Sequence, residues 1–118
     1  MDERRVLIAG SRSFTDYERA KKYIDFCTLN IRNKNKIIIV SGGAKGADML
    51  GEHYAQENGF RIERYLPDWK KYGRSAGVRR NKTMVEASDY VICFWDGISK
   101  GTKSTIDFPK KVKKTVKN

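Results

Sequence analysis

The sequence predicts one α/β domain, a Rossmann-like parallel sheet of four or five strands flanked by helices. Three observations carry this. Strand-forming apolar runs recur at 5–10, 36–42, 60–66 and 90–96. Helical periodicity fills the gaps between them. The run Ile37-Ile38-Ile39-Val40 does not alternate with polar residues, the mark of a strand buried on both faces.

The helices follow in order. Over 16–31, Tyr17, Ala20, Ile24, Cys27 and Ile31 recur at spacings of three and four and form one apolar stripe, which places Cys27 in the core. Over 46–58, Ala47, Leu50 and Tyr54 do the same, and Gly59 is placed to end that helix in the left-handed conformation. The loop at 67–77 leads into a third helix, with Ala76, Arg80, Met84 and Ala87 on one face. After "DGISKGT" a helix is expected near Thr102, with Pro109 limiting its length. A fifth strand has room only as a stump around Lys114–Lys117. The domain is set at 1–108, with 109–118 as a basic tail.

At 118 residues the chain has length for one ordinary domain, and 39% hydrophobic with 33% charged residues suits a folded globular protein. No apolar run reaches membrane-spanning length, and "MDERRVLIAG" has no signal-peptide pattern, so no membrane partner and a cytoplasmic location are expected. Cys27 and Cys93 are far apart among apolar neighbours, as core filler and not as a disulfide frame or metal site. Twenty-five Lys and Arg against fourteen Asp and Glu give a net charge of +11, which favours anionic partners.

In a parallel α/β sheet, ligands bind where the loops leave the carboxyl ends of the strands. Those loops are "GSRSFTD" (10–16), "SGGAKGAD" (41–48), "PDWKKYGRSAG" (67–77) and "DGISKGTKS" (96–104). Glycine at a strand-to-helix corner lets backbone approach an anion, and a helix start offers free N–H groups. Phosphate is the natural visitor. The phosphate-binding candidates are Gly10, Ser11 and Arg12 in the first loop, Gly42, Gly43, Lys45, Gly46 and Asp48 in the second, and Ser99, Gly101 and Thr102 in the fourth. Neither "GGAKG" nor "GISKGTKS" is a dinucleotide fingerprint or a Walker A sequence.

Arg80 sits on an otherwise apolar stripe near its helix start. A guanidinium there needs an anion, either a ligand phosphate or a carboxylate such as Asp48 or Asp96. Asn81 serves a ribose or phosphate, or helps cap the helix. Trp69, with Tyr72, either stacks on a base or covers the sheet edge. His53, the single histidine, has no evident partner. No Ser-His-Asp set, acid–base carboxylate pair or metal cluster assembles from these loops, and no cofactor is evident.

Together "IAGSR", "SGGAKGAD", "DWKKYG" with "AGVRRNKTM", and "DGISKGT" resemble the YspA-like branch of the SLOG superfamily, from Val6 to about Thr105. That superfamily also holds the LOG phosphoribohydrolases and the DprA DNA-processing proteins. The resemblance implies a Rossmann-like sheet whose loops bind a nucleotide or nucleotide derivative. Gly42, Gly43, Gly46 and Asp48 match its second-loop motif. Arg80, Asn81 and Met84 match an R-N-x-x-M element similar to the R-K-x-x-M of the LOG enzymes, placing Arg80 at their catalytic arginine.

The fourth loop departs from the LOG pattern P-G-G-x-G-T-x-x-E. Gly101 and Thr102 match, Ser99 replaces a glycine, and Thr105 stands where the catalytic glutamate would be. A ribosyl-transfer centre needs a carboxylate there or from elsewhere, with Arg80, Asp48 and Asp96 as the catalytic candidates. Three functions follow in order. The first is a sensing or processing module for a nucleoside phosphate, NAD or ADP-ribose. The second is an enzyme cleaving an N-glycosidic or phosphoribosyl bond. The third is nucleic-acid binding through the basic stretches. Whether the chain forms a homo-oligomer is left open.

Overall fold

Five parallel strands lie in the order β3-β2-β1-β4-β5 in the computed structural model, which describes residues 2–10, 14–29, 31, 35–43, 46–95 and 112–117. The strands are β1 (Asp2–Gly10), β2 (Asn35–Ser41), β3 (Arg61–Arg64), β4 (Tyr90–Trp95) and β5 (Val112–Lys117). The helices are α1 (Tyr17–Thr28), α2 (Ala47–Asn58), the single turn α3 (Trp69–Tyr72) and α4 (Ala76–Ala87), with a 3-10 turn at Gly73–Ser75 joining the last two. The chain walks outward from β1 through β2 to β3, then returns to place β4 on the other side of β1. A chain making right-handed crossovers must change faces when it reverses direction in this way. It does so: α1 and α2 cover one face and α4 the other.

The unbroken apolar runs are explained by those two layers. Along β1, Val6 and Ile8 pack with Ala20 and Ile24 of α1 and Tyr54 and Ala55 of α2. Leu7 and Ala9 point the other way, to Met84 and Val85 of α4. Every one of these is buried, so successive residues serve opposite cores.

The helix ends are set locally. The Asp16 carboxylate accepts from the Arg19 N–H at 3.1 Å and starts α1. Gly59, at φ +71°, ends α2, and the Phe60 N–H reaches back to the Ala55 carbonyl at 2.9 Å.

Several expectations shift. Ala87 is exposed, so the buried face of α4 is Ala76, Asn81, Met84 and Val85. The buried face of α2 runs through Asp48, Gly51, Glu52, Tyr54 and Ala55, with Leu50 only partly buried. Cys27 packs at the edge of the core, not within it. The segment 67–75, expected as open loop, winds into α3 and the 3-10 turn because Asp68 caps it, accepting from the Lys71 N–H at 3.1 Å. The fifth strand is a full six-residue partner of β4 rather than a four-residue stump. The helix expected near Thr102 lies outside the described residues.

Gly51 sets the depth of α2 on the sheet. A Cβ at that position would lie 2.6 Å from the Ile8 Cβ and 2.8 Å from its Cγ2, too close for any real contact. Alanine gains about 1 kcal/mol over glycine in a helix, but overpacking a core costs about 1–3 kcal/mol. Ile8 is anchored in the central strand and has no room to yield. We expect Gly51→Ala to lower the urea midpoint of unfolding; a variant as stable as the parent would mean α2 floats off the sheet.

Candidate functional site

The carboxyl ends of β2 and β3 meet the starts of α2 and α4 in one corner. Ser41 ends β2, and its carbonyl accepts from the Tyr65 N–H at 2.9 Å, which carries the ladder one residue past β3. Beyond that point the two strands separate, leaving the Gly42 and Tyr65 carbonyls without a ladder partner. Arg80 fills the gap. Its Nη1 donates to the Gly42 carbonyl at 2.8 Å and the Tyr65 carbonyl at 3.2 Å, while Nε donates to Asn81 Oδ1 at 2.9 Å. The side chain therefore points to the loop edge, as its helix position predicts. What it meets first, however, is main chain and not an anion.

Asp48 stands close by. An added Cβ on Gly42 would lie 2.8 Å from Arg80 Nη1 and 2.9 Å from Asp48 Oδ2, so the two charged groups flank the Gly42 Cα. Gly42 is small because Arg80 and Asp48 occupy the space a side chain would take. Burial lowers the Arg80 pKa, and the neighbouring Asp48 carboxylate works against that shift. A partly desolvated cation held by two carbonyls and an amide oxygen, with a carboxylate nearby, is a strong electrostatic feature at a glycine-lined edge.

A second cation lies behind Gly43. Glu52, only 2% exposed, accepts from Ser41 Oγ at 2.7 Å and from Arg64 Nε at 3.1 Å through Oε2, and from Arg64 Nη2 through Oε1. Ser41 Oγ also accepts from the Gly43 N–H at 3.0 Å. Burial alone would push the Glu52 carboxyl up, but the Arg64 and Ser41 hydrogen bonds outweigh it and hold it below its ordinary value. Gly43 has φ +73°, and a Cβ there would lie 3.0 Å from Arg64 Cδ, so both conformation and space call for glycine.

A cleft of about 430 Å³ opens beside this corner, lined by Tyr65, Leu66, Tyr72, Ala76, Arg79 and Arg80 among others. Tyr72 forms one wall, with the Arg79 guanidinium 4.5 Å from its ring centroid. Trp69, 60% exposed, is not in that wall; Gly77 of α4 lies beside its ring. Asn81 is buried and bonded to Arg80, which makes it a support for the arginine. His53, given no partner by the sequence, stacks on the Tyr17 ring at 4.1 Å, with Nε2 3.9 Å from Glu57.

Gly46 begins α2 at φ 79° with no side-chain cap. Gly10 ends β1 opposite Phe94 of β4. Those two strands bound the point where the chain reverses direction, where open α/β sheets form a crevice. Ser11, Arg12, Lys45, Asp96, Ser99, Gly101 and Thr102, the other site candidates, lie outside the described residues. The described residues hold no cluster of three or more His, Cys, Asp or Glu fit for a metal, and no helix long and apolar enough to cross a membrane.

Sequence reasoning missed Ser41, Glu52, Arg64 and the Tyr65 carbonyl. The one available signal was Gly51 beside Glu52, since a glycine inside a helix marks close packing of the face it shares.

A Rossmann-like parallel sheet with a glycine-lined loop and a partly buried arginine at its carboxyl edge defines the class of domain, not yet a ligand. The chain belongs to the YspA, cpYpsA-related SLOG family, whose model matches residues 4–72. That match includes the Gly42–Gly43 loop and ends before Arg80. The chain is 37% identical over 106 residues to the gene 61 protein of Mycobacterium phage D29, covering 85% of this chain and 83% of that one. The X-ray structure of DNA processing protein A (DprA) from Streptococcus pneumoniae superposes with a TM-score of 0.56 at 16% identity, over 94% of this chain. The chain spans 58% of that DprA chain, and the likeness is one of fold.

The Glu52 carboxyl gives a pH test. A carboxyl held low in the folded state binds fewer protons there than when unfolded. Its stabilisation is therefore present above the unfolded value of about 4.3 and drains away as pH falls through the folded value. The stability gap between the parent and Glu52→Gln should be widest near neutrality and should shrink on acidification below about pH 4.3. Urea unfolding at a series of pH values measures it; a gap independent of pH would remove the carboxylate from the account.

Proposed function

We propose that the chain binds a nucleotide or nucleotide derivative, as a sensing or processing module, at the corner formed by the ends of β2 and β3 and the start of α4. The observation that carries this reading is Arg80: a partly buried guanidinium oriented by two carbonyls beside a glycine-lined loop and open to a cleft. Among the described residues Nε and Nη1 are taken by the fold, so Nη2 is the nitrogen offered to a phosphate oxygen. The cleft, with Leu66, Ala76 and the Tyr72 ring, suits the flat apolar face of a base. Family membership and the resemblance of the loops to the nucleotide-binding SLOG pattern support the same reading. An excess of positive charge favours any phosphate-bearing partner.

The test is a thermal-shift and calorimetric screen of AMP, ADP-ribose and NAD, with a single-stranded oligonucleotide in parallel. A ligand present at about 100 times its Kd adds about 2.7 kcal/mol to apparent stability and raises the melting temperature. At least one mononucleotide or dinucleotide should bind, and its affinity should fall only gently with salt. No nucleotide binding, with oligonucleotide binding that falls steeply with salt, would turn the reading to nucleic acid. Gly43→Val forces a β-branched residue to φ +73° against Arg64 and should abolish the shift.

Arg80→Lys should weaken binding although it keeps the charge, because an ammonium cannot span three acceptors in one plane. Arg80→Ala should cost more, about 2–3 kcal/mol of binding, the range for a lost charge-assisted hydrogen bond. It should also lower folding stability, since it strips the Gly42 and Tyr65 carbonyls of their donor. Calorimetry on folded variants separates the two effects; unchanged affinity in Arg80→Ala would leave Arg80 as a fold clamp alone.

A further inference from the structure

Glu52 belongs to none of the motifs, yet it joins α2 to the ends of both β2 and β3. It is a carboxylate on α2, one turn after Asp48 and on the same helix face. Its oxygens accept from Ser41 of β2 and from the Arg64 fork at the end of β3. A serine hydroxyl has one proton to give. Because an ionised carboxylate only accepts, that proton goes to Glu52, and the lone pairs of Ser41 Oγ are left facing the Gly43 N–H at 3.0 Å. The direction of the relay is thus fixed by the carboxylate. Arg64 acts in parallel: held by Glu52, its methylenes form the floor under Gly43, within 3.0 and 3.3 Å of where a Cβ would sit.

We propose that Glu52 is the positioning residue of the glycine-rich loop: through Ser41 and Arg64 it fixes Gly43 in the left-handed conformation and turns its N–H away from the ligand side. The inference rests on reading that loop as ligand-binding. It adds that Gly43 gives shape and not a hydrogen bond, so that ligand donors come from Arg80 and from loop residues after Gly43. It also gives a chemical reason for glutamate at 52. Glutamine is nearly the same shape, but it offers Arg64 one acceptor in place of two. Its amide can also donate to Ser41, freeing the hydroxyl to rotate away from Gly43.

The experiment is residue-resolved amide hydrogen exchange by NMR, with AMP titrated as the binding probe. In the parent, Gly43 should be protected well beyond its intrinsic exchange rate. In Glu52→Gln and in Ser41→Ala, Gly43 should exchange about tenfold faster or more, as expected for a lost hydrogen bond to a charged relay. Ile39 and Val40 in the same corner should change no more than the global urea midpoint accounts for. The AMP Kd of Glu52→Gln should rise about tenfold on the same scale. A Gly43 amide unprotected in the parent overturns the proposal, and so does a Glu52→Gln variant that loses protection evenly everywhere. If Glu52→Gln does not fold, Ser41→Ala decides, because it cuts the relay while leaving the Arg64–Glu52 pair in place; unchanged Gly43 protection there overturns the proposal. Failure of AMP to bind the parent would count against the nucleotide reading, whereas the exchange rates still decide the role of Glu52.

Discussion

The corner depends on how closely α2 lies against the sheet, and that distance is set where Gly51 faces Ile8. With no Cβ at 51, the helix backbone comes down onto the central strand. The residues three before and one after, Asp48 and Glu52, are then carried to the ends of β2 and β3. Raise the helix by the width of a methyl group, and both carboxylates leave the contacts they make. A packing constraint inside the hydrophobic core thus determines the electrostatics at the loop edge. The absence of one side chain brings two charged ones into register.

The arrangement is costly in isolation. Burying a carboxylate is unfavourable by several kcal/mol unless its oxygens are satisfied, and Glu52 is nearly inaccessible. Its bonds to Arg64 and Ser41 fill both oxygens, which is why its pKa falls and does not rise. Arg64 remains half exposed, so only one member of the pair carries the full desolvation penalty. Apolar residues of similar volume would serve stability at least as well. They would not hold an N–H and a left-handed glycine in one orientation. The network is better explained by the shape of the loop than by the stability of the fold.

The sheet and its helices were legible because its central strands, β1, β2 and β4, each carry a run of apolar residues buried on both faces, a pattern few other structures produce. The details that failed share a cause: they are set by tertiary contact. The exception is α3, whose Asp68 cap is local: the carboxylate accepts from the Lys71 N–H three residues on, a signal that the turn-forming residues of "PDWKKYGRSAG" obscured. β5 is a lysine-rich strand after Pro109, and its pairing with β4 outweighs a composition that reads as tail. Within the site, the helix spacing of Arg80 gave its direction correctly but not its partners. A reading from charge looks for an opposite charge, whereas here two strand-end carbonyls meet the cation first. Glu52 was hidden because charged residues are exposed by default and its arginine partner lies twelve positions away.

Arg80 ties the two levels together. By closing the mouth between β2 and β3 it completes the hydrogen bonding of the sheet, and by doing so from α4 it fixes that helix against the glycine loop. A guanidinium suits this better than any other cation, because its planar fork can satisfy main-chain acceptors on two strands and a side-chain amide at once while keeping N–H groups on its outer edge. The inner donors are saturated by the fold, so the orientation of the outer ones is set before any ligand arrives. Such preorganisation removes much of the ordering cost of binding a phosphate. On the proposed reading the same side chain serves both the closing of the fold and the charge of the site, which would couple the stability of the β2–β3 mouth to its occupancy. A ligand engaging the outer edge of Arg80 would tighten the strand ends that Arg80 already bridges, and loosening those ends would misdirect the guanidinium.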